Sequence, residues 1–332
     1  MKKNLTFIIV LLVVGLFILL GVALGGYTSS ALVAETSNSF CAAAMTKIIA
    51  SAQGDVYDMS GVSDYVEPKS YYLAEYSVAG NAITNPTFDS VPNDLKDEQK
   101  DSSLQSQAWK IFADLIPLQD RQMVVQYNVF TDGFENTLAA VDQTQADPSQ
   151  WVLEIDIADL KNKDALMFTL VHEYAHLLTL NASQVTPDQE IVDDPYNLSL
   201  QESKAAACPN YFTGTGCSHA DSYIQAFYNR FWAGINDEWK KIDALQYGME
   251  DLTPYYNGLY NFYKTHQDQF VDDYSTTHPT EDIAEDFAYF VFRPKPSDDA
   301  IADKKILFFD QYPELVQLRL NILGSLCTSI PQ

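Results

Sequence analysis

The run Leu170-Val171-His172-Glu173-Tyr174-Ala175-His176-Leu177-Leu178 sets two histidines four residues apart inside an apolar segment, with Glu173 next to the first of them. Residues four apart on an α-helix stand one above the other on a single face, so His172 and His176 can aim two imidazole nitrogens at one ion. H-E-x-x-H in a helical setting is the sequence sign of a catalytic zinc site, where the metal is the Lewis acid and Glu173 the base for a water. The chain has only five histidines, and a buried Glu173 with no cation beside it would carry a desolvation cost. Chance, or a histidine satisfied in an ordinary core, explains the pattern less well. The helix is expected from Asp164, as its N-cap, to about Asn181.

A catalytic zinc has three protein ligands and an open position, so a third ligand must come from downstream. The segment Tyr274-Ser275-Thr276-Thr277-His278-Pro279-Thr280-Glu281-Asp282-Ile283-Ala284-Glu285-Asp286-Phe287-Ala288 is the foremost source. Pro279 suits a first helical turn. Ile283, Ala284, Phe287, Ala288 and Val291 then form an apolar stripe, leaving Glu281, Asp282, Glu285 and Asp286 on the other face. Four like charges there repel unless a cation or histidine partners offset them; a solvated acidic face is the alternative. Glu202, His219, His266 and His278 stay open as other third ligands.

Ahead of the motif, Leu104 to Leu115 reads as a helix, Met123 to Phe130 as a strand and Trp151 to Ile157 as a strand alternating with period two. Helix, strands and then an H-E-x-x-H helix is an order that resembles the zincin peptidases. The resemblance implies that the last strand before the motif helix, Trp151 to Ile157, holds an extended peptide by strand addition. The metzincin continuation is excluded, because it needs Gly at 179 and His at 182 where the chain has Thr179 and Ala182. The stretch Glu281-Asp282-Ile283-Ala284-Glu285 resembles the E-x-x-A-E helix of gluzincin-like enzymes, including the lethal-factor type and bacterial extracellular zinc peptidases. That likeness implies Glu281 as third zinc ligand, Glu285 as the carboxylate that orients a zinc-bound imidazole, and Tyr274 as a donor to the oxyanion. It covers two short motifs and the element order, and the long separation of His176 from Glu281 departs from compact gluzincins.

The fold class expected is α+β: a small mixed sheet with the motif helix, then a mostly helical C-terminal part, behind an N-terminal membrane segment. With 332 residues, 47% of them hydrophobic, the chain can bury a large core. A net charge of −25 argues against nucleic acid as a partner, since a basic patch is the usual footprint there. Lys2 and Lys3 precede an uncharged run from Leu5 to about Leu24, long enough to span a bilayer. The expectation is an uncleaved single-pass anchor with the remainder extracytoplasmic. A cleaved signal with Ala31-Leu32-Val33-Ala34 near its cleavage site, giving a secreted protein, is the rival. The division expected is therefore 1–27 as anchor or signal, 28–102 as an extension and 103–332 as the peptidase domain.

Between the motifs, Ser222 to Leu245 reads as one aromatic-rich helix and Tyr255 to Lys264 as another, with Leu315 to Leu323 in a closing helix. Of the four cysteines, Cys208 and Cys217 flank a glycine-containing loop suited to a local disulfide, which leaves Cys41 with Cys327. Free thiols or a second metal site are the other readings. The function expected is a zinc-dependent peptidase acting on peptides or proteins, with Zn2+ held by His172, His176 and Glu281 and with Glu173 and Tyr274 catalytic. A surface binding protein that keeps the fold without turnover is the alternative, and the presence of Glu173 speaks against it.

Overall fold

Val124–Thr131 and Trp151–Asp156 are buried along most of their length, which makes them the centre of the molecule's main sheet and explains their β-branched and aromatic content. In the computed structural model they are β3 and β5, paired in parallel. β1 (Tyr71–Ala79) and β2 (Ala82–Thr87) form a hairpin antiparallel to β3, and β4 (Ala139–Gln143) pairs antiparallel with β5. The five-stranded order is β2-β1-β3-β5-β4, a mixed sheet. The structure describes residues 39–52, 69–134, 137–247, 251–297 and 299–329. The chain divides into two compact units, Met1–Ala44 with Gln332 and Met45–Pro331. Of the first, only the start of helix α1 (Ser39–Ala52) is described, and apart from Cys41 all that follows concerns the second.

Residues 71–87, which the sequence assigns to an extension, thus contribute two strands to the same sheet. Their hairpin turns at Gly80, whose φ of +64° is the left-handed conformation glycine adopts without strain. The buried Arg121 guanidinium donates to the Gly80 carbonyl (2.8 Å) and to the Asn81 side chain, stapling that turn to the core.

Helix α2 (Ser102–Leu115) opens on Asp101, whose carboxylate caps the Leu104 N–H at 3.0 Å. It buries Ala108 beside Trp109, then Phe112 and Leu115 at three-residue intervals from Trp109, along one face. The motif helix α3 (Lys163–Leu180) starts two residues earlier than expected, because Asn162 rather than Asp164 is the N-cap. Leu166, Leu170, Val171, Ala175 and Leu177 on it have no or almost no exposed surface. A helix apolar nearly all round must be covered on every side. Helix α7 (Pro279–Phe292) packs along it, with Phe168 against Tyr289 and Phe292 at 5.3 and 6.1 Å between ring centres.

Between these two helices lie α4 (Leu198–Ala207), a short hairpin of β6 (Val185–Pro187) with β7 (Gly216–Ser218), α5 (Asn236–Asp243) and α6 (Thr253–Thr265). The single helix expected over Ser222–Leu245 is broken. It runs as Tyr223–Phe227, a π-turn at Tyr228–Trp232 in which the Ala233 N–H reaches the Tyr228 carbonyl, and then α5. Gly234 in the break explains why the helix does not continue. Helix α8 (Pro313–Ser329) closes the chain. Arg319 on it donates to the carbonyls of Val291 and Arg293, satisfying the end of α7.

The membrane placement is corrected. The expected span at residues 5–24 lies outside the described residues, and among the described residues no helix is long and apolar enough to cross a membrane. The cysteine reading fares better: Cys208 and Cys217 are bonded to each other, Cys41 and Cys327 are disulfide-bonded as well, and no cysteine is free.

Candidate metal centre

Helix α3 presents His172 and His176 one turn apart on the face that meets α7, and the first turn of α7 brings Glu281 against them. The Nε2 atoms of the two histidines are 3.1 Å apart. Glu281 Oε2 lies 3.1 Å from Nε2 of His172 and 3.3 Å from Nε2 of His176. These three residues form the one group among the described residues whose ligand atoms converge closely enough to hold an ion. Atoms bound to one zinc at about 2.0–2.2 Å and a tetrahedral angle lie about 3.3–3.6 Å apart, so the donor set is only slightly tighter than zinc requires. Two imidazoles and a carboxylate also have the borderline-soft chemistry that suits zinc.

Glu285, one turn further along α7, stands with Oε1 3.0 Å from Nδ1 of His172. That contact fixes the ring orientation and leaves Nε2 facing the cluster. Burial disfavours charge on His172, but Glu281, Glu285 and Glu173 outweigh it and hold its pKa well above the ordinary value. Burial would likewise raise Glu281, and the two imidazoles overcome it, so its carboxyl is held well below the usual range. Both shifts have the same origin: the site is built for positive charge surrounded by carboxylates.

Glu173 is only 8% exposed, and burial pushes its carboxyl up to about 7, against the pull of both histidines. A base poised near neutrality is what proton transfer at ordinary pH calls for. Tyr274 is 37% exposed, with its ring 5.9 Å from that of His172. The Glu281 charge, followed by burial, drives its ionisation well up, so the hydroxyl keeps its proton and can donate it in a hydrogen bond.

The other sequence candidates serve elsewhere. His278 caps the start of α7, its Nδ1 accepting the Thr280 N–H at 3.1 Å, and packs against Trp239. His219 bonds Thr186 and the Ser183 carbonyl, and His266 bonds Glu238. Glu202 sits on α4 facing a neighbouring cavity rather than the cluster. The acidic face of α7 is divided rather than solvated: Glu281 and Glu285 turn to the histidines, while Asp282 accepts from Lys305 at 2.6 Å and from Trp232 Nε1 at 2.7 Å.

One expectation is overturned by strand order. β5 is paired on both edges, with β3 and with β4, so its hydrogen-bonding groups are already used and it cannot receive a peptide strand. β4 is the edge on that side of the sheet, β2 being the other edge, and it lies beside α3. Asp142 on β4 is close enough for its charge to raise Glu173 further. Sequence reading missed β4 altogether, since Ala139-Ala140-Val141-Asp142-Gln143 is short and partly exposed. Comparison with protein-family models, with curated proteins and with solved structures gave no match.

Proposed function

We propose that this chain is a zinc-dependent peptidase of the zincin type, hydrolysing peptide bonds of peptides or proteins. The observation that carries the reading is the convergence of His172, His176 and Glu281 to 3.1–3.3 Å with the buried Glu173 in the same helix turn. A structural zinc would be closed by a fourth protein ligand, and the cysteines that often supply one are all in disulfides. A zinc held there would supply a Lewis acid for a peptide carbonyl and acidify a water.

The residues of the chain do the rest. The outer edge of β4 has no strand partner among the described residues and supports an extended peptide laid alongside it by main-chain hydrogen bonds. Glu173 takes the proton of the attacking water and hands it to the leaving nitrogen. The Tyr274 hydroxyl donates to the oxygen that becomes negative as the carbonyl turns tetrahedral. Glu285 keeps His172 oriented throughout.

The test is metal content and cleavage of a mixed peptide library by wild type, Glu281→Ala and Glu173→Gln, side by side. The expected outcome is about one zinc per wild-type chain, sharply weakened in Glu281→Ala, and zinc retained without cleavage in Glu173→Gln. Zinc retained by Glu281→Ala would refute the ligand set. Cleavage undiminished in Glu173→Gln would refute the base.

A further inference from the structure

Next to the metal site opens a cavity of about 960 Å³, within the size range of ligand pockets. Its lining includes Glu281, Tyr274 and His278 from the metal side, so a group bound at the site has direct access to it. The remaining walls come from the stretch between His176 and Glu281: α4, the loop closed by the Cys208–Cys217 disulfide, the π-turn, α5 and α6. The long separation of the ligands is therefore where this pocket is made.

The lining is rich in tyrosine. Tyr211 stacks on Tyr228 with ring centres 4.1 Å apart and planes 14° from parallel, and Tyr247, Tyr255 and Tyr256 line the cavity as well. Electron-rich ring faces attract cations. The Tyr211 hydroxyl is buried and has no hydrogen-bond partner among the described residues. Among these rings lies Asp243, at the end of α5. Gln246 donates to its Oδ1 at 2.6 Å, and no ion pair within 4.0 Å engages it among the described residues. Glu202 and Glu281 are the other carboxylates of the lining, against one exposed cation, Lys240. Burial raises the Asp243 carboxyl to about 6, the Gln246 hydrogen bond and the Lys240 charge offsetting it only in part, and its charge is felt by Tyr211, Tyr247 and Tyr255.

Resting on the peptidase reading, we propose that this tyrosine-lined cavity is a side-chain pocket selective for a basic residue of the substrate, arginine or lysine, with Asp243 as its counter-charge. An aliphatic or aromatic side chain would desolvate the Asp243 carboxylate further and bring it no counter-charge, which disfavours it. The chain's net charge of −25 draws basic peptides toward it in the same sense.

The decisive measurement separates binding from turnover. Glu173→Gln full-length protein, loaded with zinc, is titrated by calorimetry with a capped hexapeptide carrying one central arginine. Its counterpart has citrulline at that position, which keeps the shape and removes the charge. The expected result is about ten-fold or more tighter binding of the arginine peptide, a preference lost in Glu173→Gln/Asp243→Asn and strengthened in Glu173→Gln/Lys240→Gln. Equal binding of the two peptides, or a preference that survives Asp243→Asn with zinc content and circular dichroism unchanged, would overturn the pocket assignment. In wild type, the same pair assayed for cleavage shows whether the peptidase reading stands: cleavage without charge preference sinks the pocket alone, and charge-selective binding without cleavage sinks the peptidase alone.

Discussion

Lys305→Met is the perturbation whose cost the structure sets most clearly. The Lys305 ammonium and the Asp282 carboxylate are both fully buried, 2.6 Å apart, with the ammonium also 3.9 Å from the centre of the Phe270 ring. Methionine keeps most of the stem's bulk and removes the charge. Among the described residues Asp282 is then left with only the Trp232 N–H, beside Asp286, whose two carboxylate oxygens are buried without hydrogen-bond partners there. Removing one partner of a buried pair costs about 3–5 kcal/mol. At about 2–4 °C per kcal/mol for a chain of this size, the thermal midpoint should fall by about 6–20 °C. The loss also depends on pH in a defined direction. Burial already raises Asp282 to about 6 despite Lys305, and without Lys305 it rises further. The folded state then holds a proton that the unfolded state has released, so the variant weakens as pH climbs from 5 to 8. Differential scanning calorimetry or urea unfolding at those two pH values reads both effects. Lys305→Met/Asp282→Asn, which removes both charges and keeps an acceptor for Trp232, should recover most of the loss. A single variant within about 1 kcal/mol of wild type, or a double variant no better than the single, would refute the view that this pair anchors α7.

Three further outcomes follow from the metal centre. Glu285→Gln should weaken zinc about 10–100-fold in competition with a chelator while cleavage at saturating zinc persists, because it frees the His172 ring rather than removing a ligand. Tyr274→Phe should leave zinc content unchanged and lower kcat by about 10–1,000-fold, the loss of one donor to an oxyanion. In the metal-free protein, Glu173 ionises at about 7 against an ordinary 4.5, so stability measured in EDTA should fall as pH rises from about 4.5 to 7. With zinc bound, its positive charge lowers that pKa, and the acid limb of kcat/KM should lie below 7, with activity lost as pH falls.

How much of this was legible in the sequence depends on whether the signal was local. His172 and His176 could be read directly, because helical period and ligand geometry coincide over four residues. Glu281 was the foremost of five candidates, from its helical context and its likeness to an E-x-x-A-E helix, because no local spacing links a distant carboxylate to α3. The central strands were visible from their composition; β4 and β2 were not, being short, partly exposed and dotted with Asp, Asn and Gln. Missing β4 misassigned the sheet edge and hence the strand expected to receive a peptide. Lys305 sits in the run Asp303-Lys304-Lys305, which looks like surface, and its burial is dictated by Asp282 on another helix. The helix expected over Ser222–Leu245 broke where Phe231 and Trp232 seek different partners, Phe308 and Trp239 among them.

The contact between His172 and Glu281 joins residues 109 apart in the chain. During synthesis, the H-E-x-x-H helix therefore emerges long before the carboxylate that completes its ligand set. Until Pro279–Phe292 has been made and has docked, the nascent chain offers a metal two imidazoles only, and the pocket walls are still forming. Order of synthesis and closure of that long loop together postpone the assembly of the site to the end of folding. A chain cut short before Glu281 is left with a motif but no centre.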